Sequence, residues 1–329
     1  MLQIKTAADD RDLFAQWRED RDFALPDCAL YGRFSQHFHP VAYQDSHQDV
    51  SFAVLDGQRP VLLTAATIAG QRLDYYGLPL RLFVRRDAPA AERETAIDAA
   101  FAHLDQLAET RQVTDILLAD HDSAGILSPI GACALNRHFQ PALRLTAWAD
   151  LGEGEAGLRK GLRKSYKSML NWGKSNLEIR IVDGGNPDYA LFQRYQAFHQ
   201  EVAGRVTRPQ KDWDAIYSFL AASQGELVLG LLPGDELVAG TVVADAGSSS
   251  YYLSGVYDRA RFDKPMAHWP LWLALLRAGE RGRKRFELGE VPLDGAASAK
   301  EVSIGFFKRG FATEISTWLA WRRTAPEVA

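Results

Sequence analysis

Cysteine is nearly missing from this chain: Cys28 and Cys133 are the only two in 329 residues. They form no CxxC pair and no Cys/His cluster at metal spacing, so a disulfide scaffold and a structural metal site are both unexpected. Both read as reduced thiols of a cytoplasmic protein. The opening residues, MLQIKTAADDRD, show neither the basic nor the apolar region of a signal peptide. No window approaches the roughly 18 apolar residues of a membrane helix, so no membrane span is expected. An excess of one charge is missing too. Thirty-eight basic residues stand against 42 acidic ones, a net charge of -4. That balance argues against a general coat for nucleic acid or membrane, and DNA is not an expected partner. Familiar chemical loops are absent as well: no GxxxxGKS/T or GxGxxG is read after a strand, and no GxSxG, HExxH or kinase signature occurs.

What is present begins with an internal echo. In the first half, the runs 50–55, 60–65 and 73–77 are separated by the turns Asp56-Gly57 and Ala69-Gly70. In the second half, the runs 226–231, 237–244 and 250–255 are separated by Pro233-Gly234-Asp235 and Gly247. Both read as three-stranded meanders. Each leads to an amphipathic helix (about 91–110 and 266–281) and a further strand (115–118 and 285–288). The expectation is an α/β (α+β) chain of two similar units, residues 1–150 and 151–329, joined near the glycine- and acid-rich DLGEGEAG.

Four constellations carry candidate chemistry. The densest follows the join: Arg159, Lys160, Arg163, Lys164, Lys167 and Lys174 on an expected helix over 158–174, with Arg159, Arg163 and Lys167 on one face. Such a run is either a solvated face or an anion site, with Tyr166 and Trp172 placed to stack on a base or sugar. A second set is His199, Arg205, Arg208 and Trp213, where Gly204 reads as a helix stop and the arginines fall in a loop. His199 points with Phe192, Tyr195 and Val202, so it is either a packed histidine or part of a grip on an anionic ring. Glu287 and Glu290 form the best carboxylate pair. Their odd separation puts them on opposite faces unless the strand ends between them at Gly289. Last comes Phe306-Phe307-Lys308-Arg309-Gly310-Phe311, a cation in an aromatic run that reads as a strand edge or as an oxyanion holder. Asp258, Arg259 and Arg261 lie in a loop before the second helix, where a phosphate grip would sit, but the loop is poor in glycine.

The second half resembles the FemAB-type branch of the GNAT acyltransferase superfamily, of the BioF2-like acetyltransferase domain type. The resemblance covers Leu158 to about Trp318. It rests on a basic helix, the strand at Ala239-Gly240, the Tyr251-Tyr252 strand, the strand ending Glu287-Leu288-Gly289 and the run Phe307-Lys308-Arg309-Gly310-Phe311. It implies two tandem GNAT-like domains, each a mixed, largely antiparallel sheet flanked by helices, the first a degenerate twin. Glu290 stands where a second glycine is usual, and so does Ala312. The Q/R-x-x-G-x-G/A loop of coenzyme-A-using relatives is not recognisable, which leaves the donor open.

The resemblance also implies an activity. An acyl group would pass from an acyl thioester, acetyl-CoA or another acyl-CoA or an acyl carrier, to the amine of a cell-envelope or nucleotide-linked amino sugar by direct attack. Arg163, Lys164 and Lys167 would meet phosphate; His199, Arg205, Arg208, Trp213, Tyr252 and Glu287 would hold the acceptor. Glu290, His268 or Asp258 would take the proton, Lys308 would stabilise the oxyanion, and Arg259, Arg261 and Arg309 would face the cofactor. The alternatives are an aminoacyl-tRNA-dependent transferase and a non-catalytic carbohydrate-binding module.

Overall fold

The computed structural model describes residues 2–121, 127–261, 263–293 and 297–325. Part of the small-residue loop after Glu290 and Phe262 of the arginine-rich loop lie outside them. The chain opens with β1 (Leu2–Thr6), α1 (Arg11–Arg18) and α2 (Arg33–Ala42). Then come β2 (Gln48–Asp49), β3 (Phe52–Asp56), β4 (Arg59–Ala65), β5 (Thr67–Ala69), β6 (Arg72–Asp74) and β7 (Leu80–Val84). They lead to α3 (Ala90–Arg111), β8 (Asp115–Asp120), α4 (Pro129–Asn136) and β9 (Gln140–Asp150). The second half holds α5 (Gly154–Gly161), α6 (Tyr166–Asn176), β10 (Glu178–Val182), α7 (Tyr189–Ala203) and α8 (Gln210–Ala221). Next are β11 (Gly225–Leu232), β12 (Glu236–Ala246), β13 (Ser249–Tyr257) and α9 (His268–Glu280). The described chain ends with β14 (Arg285–Val291), α10 (Ala299–Arg309) and β15 (Glu314–Thr324). Among the described residues no helix is long and apolar enough to cross a membrane.

Two compact units emerge: residues 1–26, 43–145 and 317–329 form the first, residues 27–42 and 146–316 the second. In the first, β3, β4 and β7 are antiparallel, and β8 returns parallel to β7 after α3. In the second, β11, β12 and β13 are antiparallel, and β14 returns parallel to β13 after α9. The duplicated, mixed and largely antiparallel sheet flanked by helices is therefore present. Its cause is readable in each strand: runs such as Val54, Val61, Leu62, Leu227, Val242 and Val243 are fully buried, as sheets covered by helices require.

Several local expectations fail for physical reasons. The run 73–77 is not the third strand of the first meander. It holds only β6, because the backbone of Tyr76 and Gly77 turns left-handed, and β7 takes the third place. The single basic helix is two helices: Leu162 is buried in extended backbone, and the Arg163 amide donates to the Gly310 carbonyl at 3.0 Å. That docking outweighs continued helix. Arg159, Arg163 and Lys167 therefore share no helical face. Gly152-x-Gly154-x-x-Gly157 does follow a strand and open a helix, contrary to the reading above. Its Glu153 and Glu155 pair with Lys160 and Arg159, which makes it acidic rather than a phosphate cradle. Finally, Phe306 to Arg309 is the last turn of α10, not a strand edge. The helix starts at a capping box in which the Glu301 amide donates to the Ser298 hydroxyl and the Ser298 amide to the Glu301 carboxylate.

Candidate functional site

β13 and β14 pair only at Ser249–Arg285, Ser250–Phe286 and Tyr251–Glu287. Beyond that register β13 continues to Tyr257 and β14 to Val291, so the two strands splay. A register shift opposite Val242–Val243 leaves Leu253 without a partner on β12, a bulge at the mouth of the splay. Here Glu287, Glu290, Tyr251 and Lys308 converge. β14 does not end between the two glutamates. Gly289 instead takes a left-handed φ of +87° inside the strand, which breaks the two-residue alternation. Both carboxylates then act on Lys308 and on Tyr251. Lys308 Nζ donates to the Glu290 carbonyl at 3.2 Å and lies 2.9 Å from where a side chain at Gly289 would begin. Burial pulls the Lys308 ammonium below the ordinary lysine range, with Glu287 and Glu290 opposing. Burial and the same two carboxylates push the Tyr251 phenol upward.

Tyr251 was missed in the sequence, where Tyr252 was singled out. The alternation of a strand parts neighbouring tyrosines. Tyr252 is instead coupled to Tyr195 and Tyr257, and burial raises its phenol. On that side α7 and α8 place His199, Arg208 and Trp213 together. The His199 ring lies 5.3 Å from that of Trp213, the Arg208 guanidinium 5.1 Å over the same indole, and Thr207 Oγ1 is 3.2 Å from His199 Nδ1. Burial, with Arg208 nearby, lowers His199 to about 4, so the ring is neutral at pH 7. Trp213 Nε1 is buried and has no hydrogen-bond partner among the described residues. α7 stops at Ala203 as read, and Arg205 is exposed in the following loop.

A cavity of about 530 Å³ lies between α6, the start of α9 and α10. Tyr166, Met169, Trp172, Tyr257, Met266, His268, Phe306 and Phe307 supply its apolar wall. His268 is boxed by Tyr166 (4.5 Å), Phe307 (5.2 Å) and Phe311 (5.9 Å), and burial lowers it to about 4. Gly310 is required here, because any side chain would meet the Tyr166 ring at 2.1 Å. Arg163 stacks 3.6 Å over Phe306 and donates to the Tyr166 hydroxyl at 3.0 Å.

The remaining candidates lie in the loop before α9 and at the end of α10. The Asp258 carboxylate accepts from the Ala260 amide and pairs with Arg261, which also pairs with Glu236. Arg259 is exposed in a single turn of tight helix, and Arg309 ends α10. The loop feeding α9 carries no glycine between Tyr257 and His268, and its Lys264 pairs with Asp263.

No family model matches this chain, and no curated protein does. Solved structures do. FemX aligns with a TM-score of 0.68 at 12% identity, over 97% of this chain and 96% of its own. A tandem GNAT protein from the clavulanic acid biosynthesis pathway, solved without AcCoA, gives 0.63 at 14% identity over the whole of both chains. L-PGS from Bacillus licheniformis gives 0.59 at 15% identity, over 89% of this chain and 88% of its own. At such identities the likeness is one of fold. This chain thus shares its overall fold with FemX and with the tandem GNAT protein.

Proposed function

We propose that the chain is a FemAB-type aminoacyltransferase that moves an aminoacyl group from an aminoacyl-tRNA to an amine on an anionic envelope-sugar precursor. The observation that carries this reading is the Lys308, Glu287, Glu290 and Tyr251 cluster at the splay, together with the lack of glycine in the loop feeding α9. The acceptor amine attacks the ester carbonyl: a C–N bond forms, and the C–O bond to the ribose breaks. The amine proton passes to the carboxylate pair and on to the leaving ribose oxygen. Lys308 holds the negative oxygen of the tetrahedral intermediate. His199, Arg208 and Trp213 hold the acceptor, with the indole N–H and the guanidinium offered to its anionic group. Unit 1 serves as the non-catalytic twin.

The second reading keeps the same centre with an acyl thioester as donor, acyl-CoA included, and the acetyltransferase subtype goes with it. Full-length alignment with the tandem GNAT protein supports it. Of the three cations expected to face the cofactor, Arg261 is ion-paired to Glu236, which disfavours it. The two are separated by offering charged tRNA and acetyl-CoA side by side to one amino-sugar acceptor. Product from charged tRNA alone supports the first reading; product from acetyl-CoA alone overturns it. Arg208→Ala raises KM for the acceptor about tenfold and leaves donor affinity unchanged.

A further inference from the structure

α6 carries three different faces. Tyr166, Leu170 and Gly173 are buried, Met169 and Trp172 line the cavity, and Lys167, Asn171 and Lys174 face solvent with Lys164 one turn earlier. From Arg163 to Asn176 there is no acidic residue. Arg159 and Lys160 on α5 are held by Glu155 and Glu153, whereas Lys164, Lys167 and Lys174 make no ion pair among the described residues. A solvated helix normally intersperses its charges. This one has a basic stripe about 15 Å long, enough for about three successive phosphates of a single strand.

The cavity beside the stripe has the composition of a stacking platform. Arg163 stacks on Phe306 of its wall, and Asp263, the one acid in its lining, faces Lys264 at 3.2 Å. Two of the chain's three methionines, Met169 and Met266, complete the wall, giving an adaptable surface for a flat ring. Its volume far exceeds that of a small acyl group and falls in the range of small-molecule sites. Phe307 lines the cavity, and the next residue is Lys308, so one helix serves both.

We infer that α6 and this cavity form a binding site for the 3′ end of a single-stranded RNA: the terminal adenosine stacks in the cavity, and the preceding phosphates lie along Lys164, Lys167 and Lys174. The inference rests on the aminoacyl-tRNA reading for its donor, and it assigns the donor's end to named residues. The same adenine chemistry is carried by the nucleotide of a thioester donor, so the test includes both sources.

Fluorescence anisotropy with a 5′-labelled RNA of about six nucleotides ending in a free 3′-adenosine measures the site. Affinity should fall with salt at a log–log slope of about -2, the value for three phosphates. Lys167→Gln with Lys174→Gln should bring that slope to about -0.7. Both residues are exposed, so folding is spared. Trp172→Ala should weaken binding roughly tenfold without changing the slope. A bulky 3′ block should weaken it similarly. Equal binding of blocked and free RNA overturns the inference, as does an unchanged slope in the double lysine variant. So does a site that takes 3′-phosphoadenosine diphosphate but no RNA. Binding of the free end without any aminoacyl transfer would sink the proposed activity and leave this site standing. Transfer from charged tRNA that Trp172→Ala and the lysine variant leave untouched would do the reverse.

Discussion

The same helix of the duplicated unit is used in opposite ways. In unit 1, α4 follows β8 and presses Ile130, Gly131, Cys133 and Ala134 into the core with Phe101, Phe139 and Trp321. Its cap, Ser128, donates to the buried Asp120 carboxylate at 2.7 Å, so the polar groups there are spent on closure. The inserted β6 also pairs with β8 over Arg72 and Leu73. In unit 2, α10 follows β14 and buries only Gly305, against Pro292, while Val302, Ile304 and Phe306 stay exposed. Beside this less buried helix lie a splay, a cavity and a half-buried lysine. Duplication supplied the frame, and the two copies differ in how deeply this helix is buried.

That contrast can be broken at its closed end first. Asp245 is buried where β13 still pairs with β14. It accepts from Ser250 at 2.6 Å and from Arg281 at 2.8 Å, while Arg281 and Arg277 also hold the fully buried Glu226. Burial alone would raise the Asp245 carboxyl, but Arg281 and Arg283 hold it below its ordinary value. Its contribution to stability is thus present above pH about 4 and is lost as pH falls below that. Asp245→Ala removes the buried carboxylate that Arg281 and Arg283 share and takes the acceptor from the Ser250 hydroxyl, which should cost about 3 kcal/mol in urea unfolding. Ile130→Ala, on the closed helix, should cost about 2–5 kcal/mol and leave kcat unchanged in the folded fraction. Neutral His199 and His268 bind protons only once unfolded between pH 6.5 and about 4. Tm should therefore fall as pH is lowered through that window, and His199→Gln should flatten the fall. The smallest effect belongs to the open helix: Val302→Ala should change stability by less than about 0.5 kcal/mol. A cost near that of Ile130→Ala would show that α10 does pack.

Much of this was legible in the residues. Alternating apolar runs marked the meanders, and the repeat of strands, helix and strand marked the duplication. Lys308, Glu287 and Glu290 were each picked out, and the structure brings them together. What stayed hidden depends on contacts distant in sequence. Leu162 breaks the basic helix because Gly310, far along the chain, receives the Arg163 amide. Tyr251 rather than Tyr252 faces Glu287 and Glu290, since strand phase fixes the face and a two-residue aromatic pair does not reveal it. The helical state of Phe306 to Arg309 is readable from the capping spacing of Ser298 and Glu301.

The opening in unit 2 is the reaction centre if Lys308 acts on the intermediate rather than on folding. Single-turnover transfer from charged tRNA, compared between wild type and Lys308→Ala at equal Tm, tests this directly. The account predicts a loss of about a hundredfold in the chemical step with donor affinity within a few-fold. An unchanged rate, or a loss that appears only in donor affinity, would contradict it.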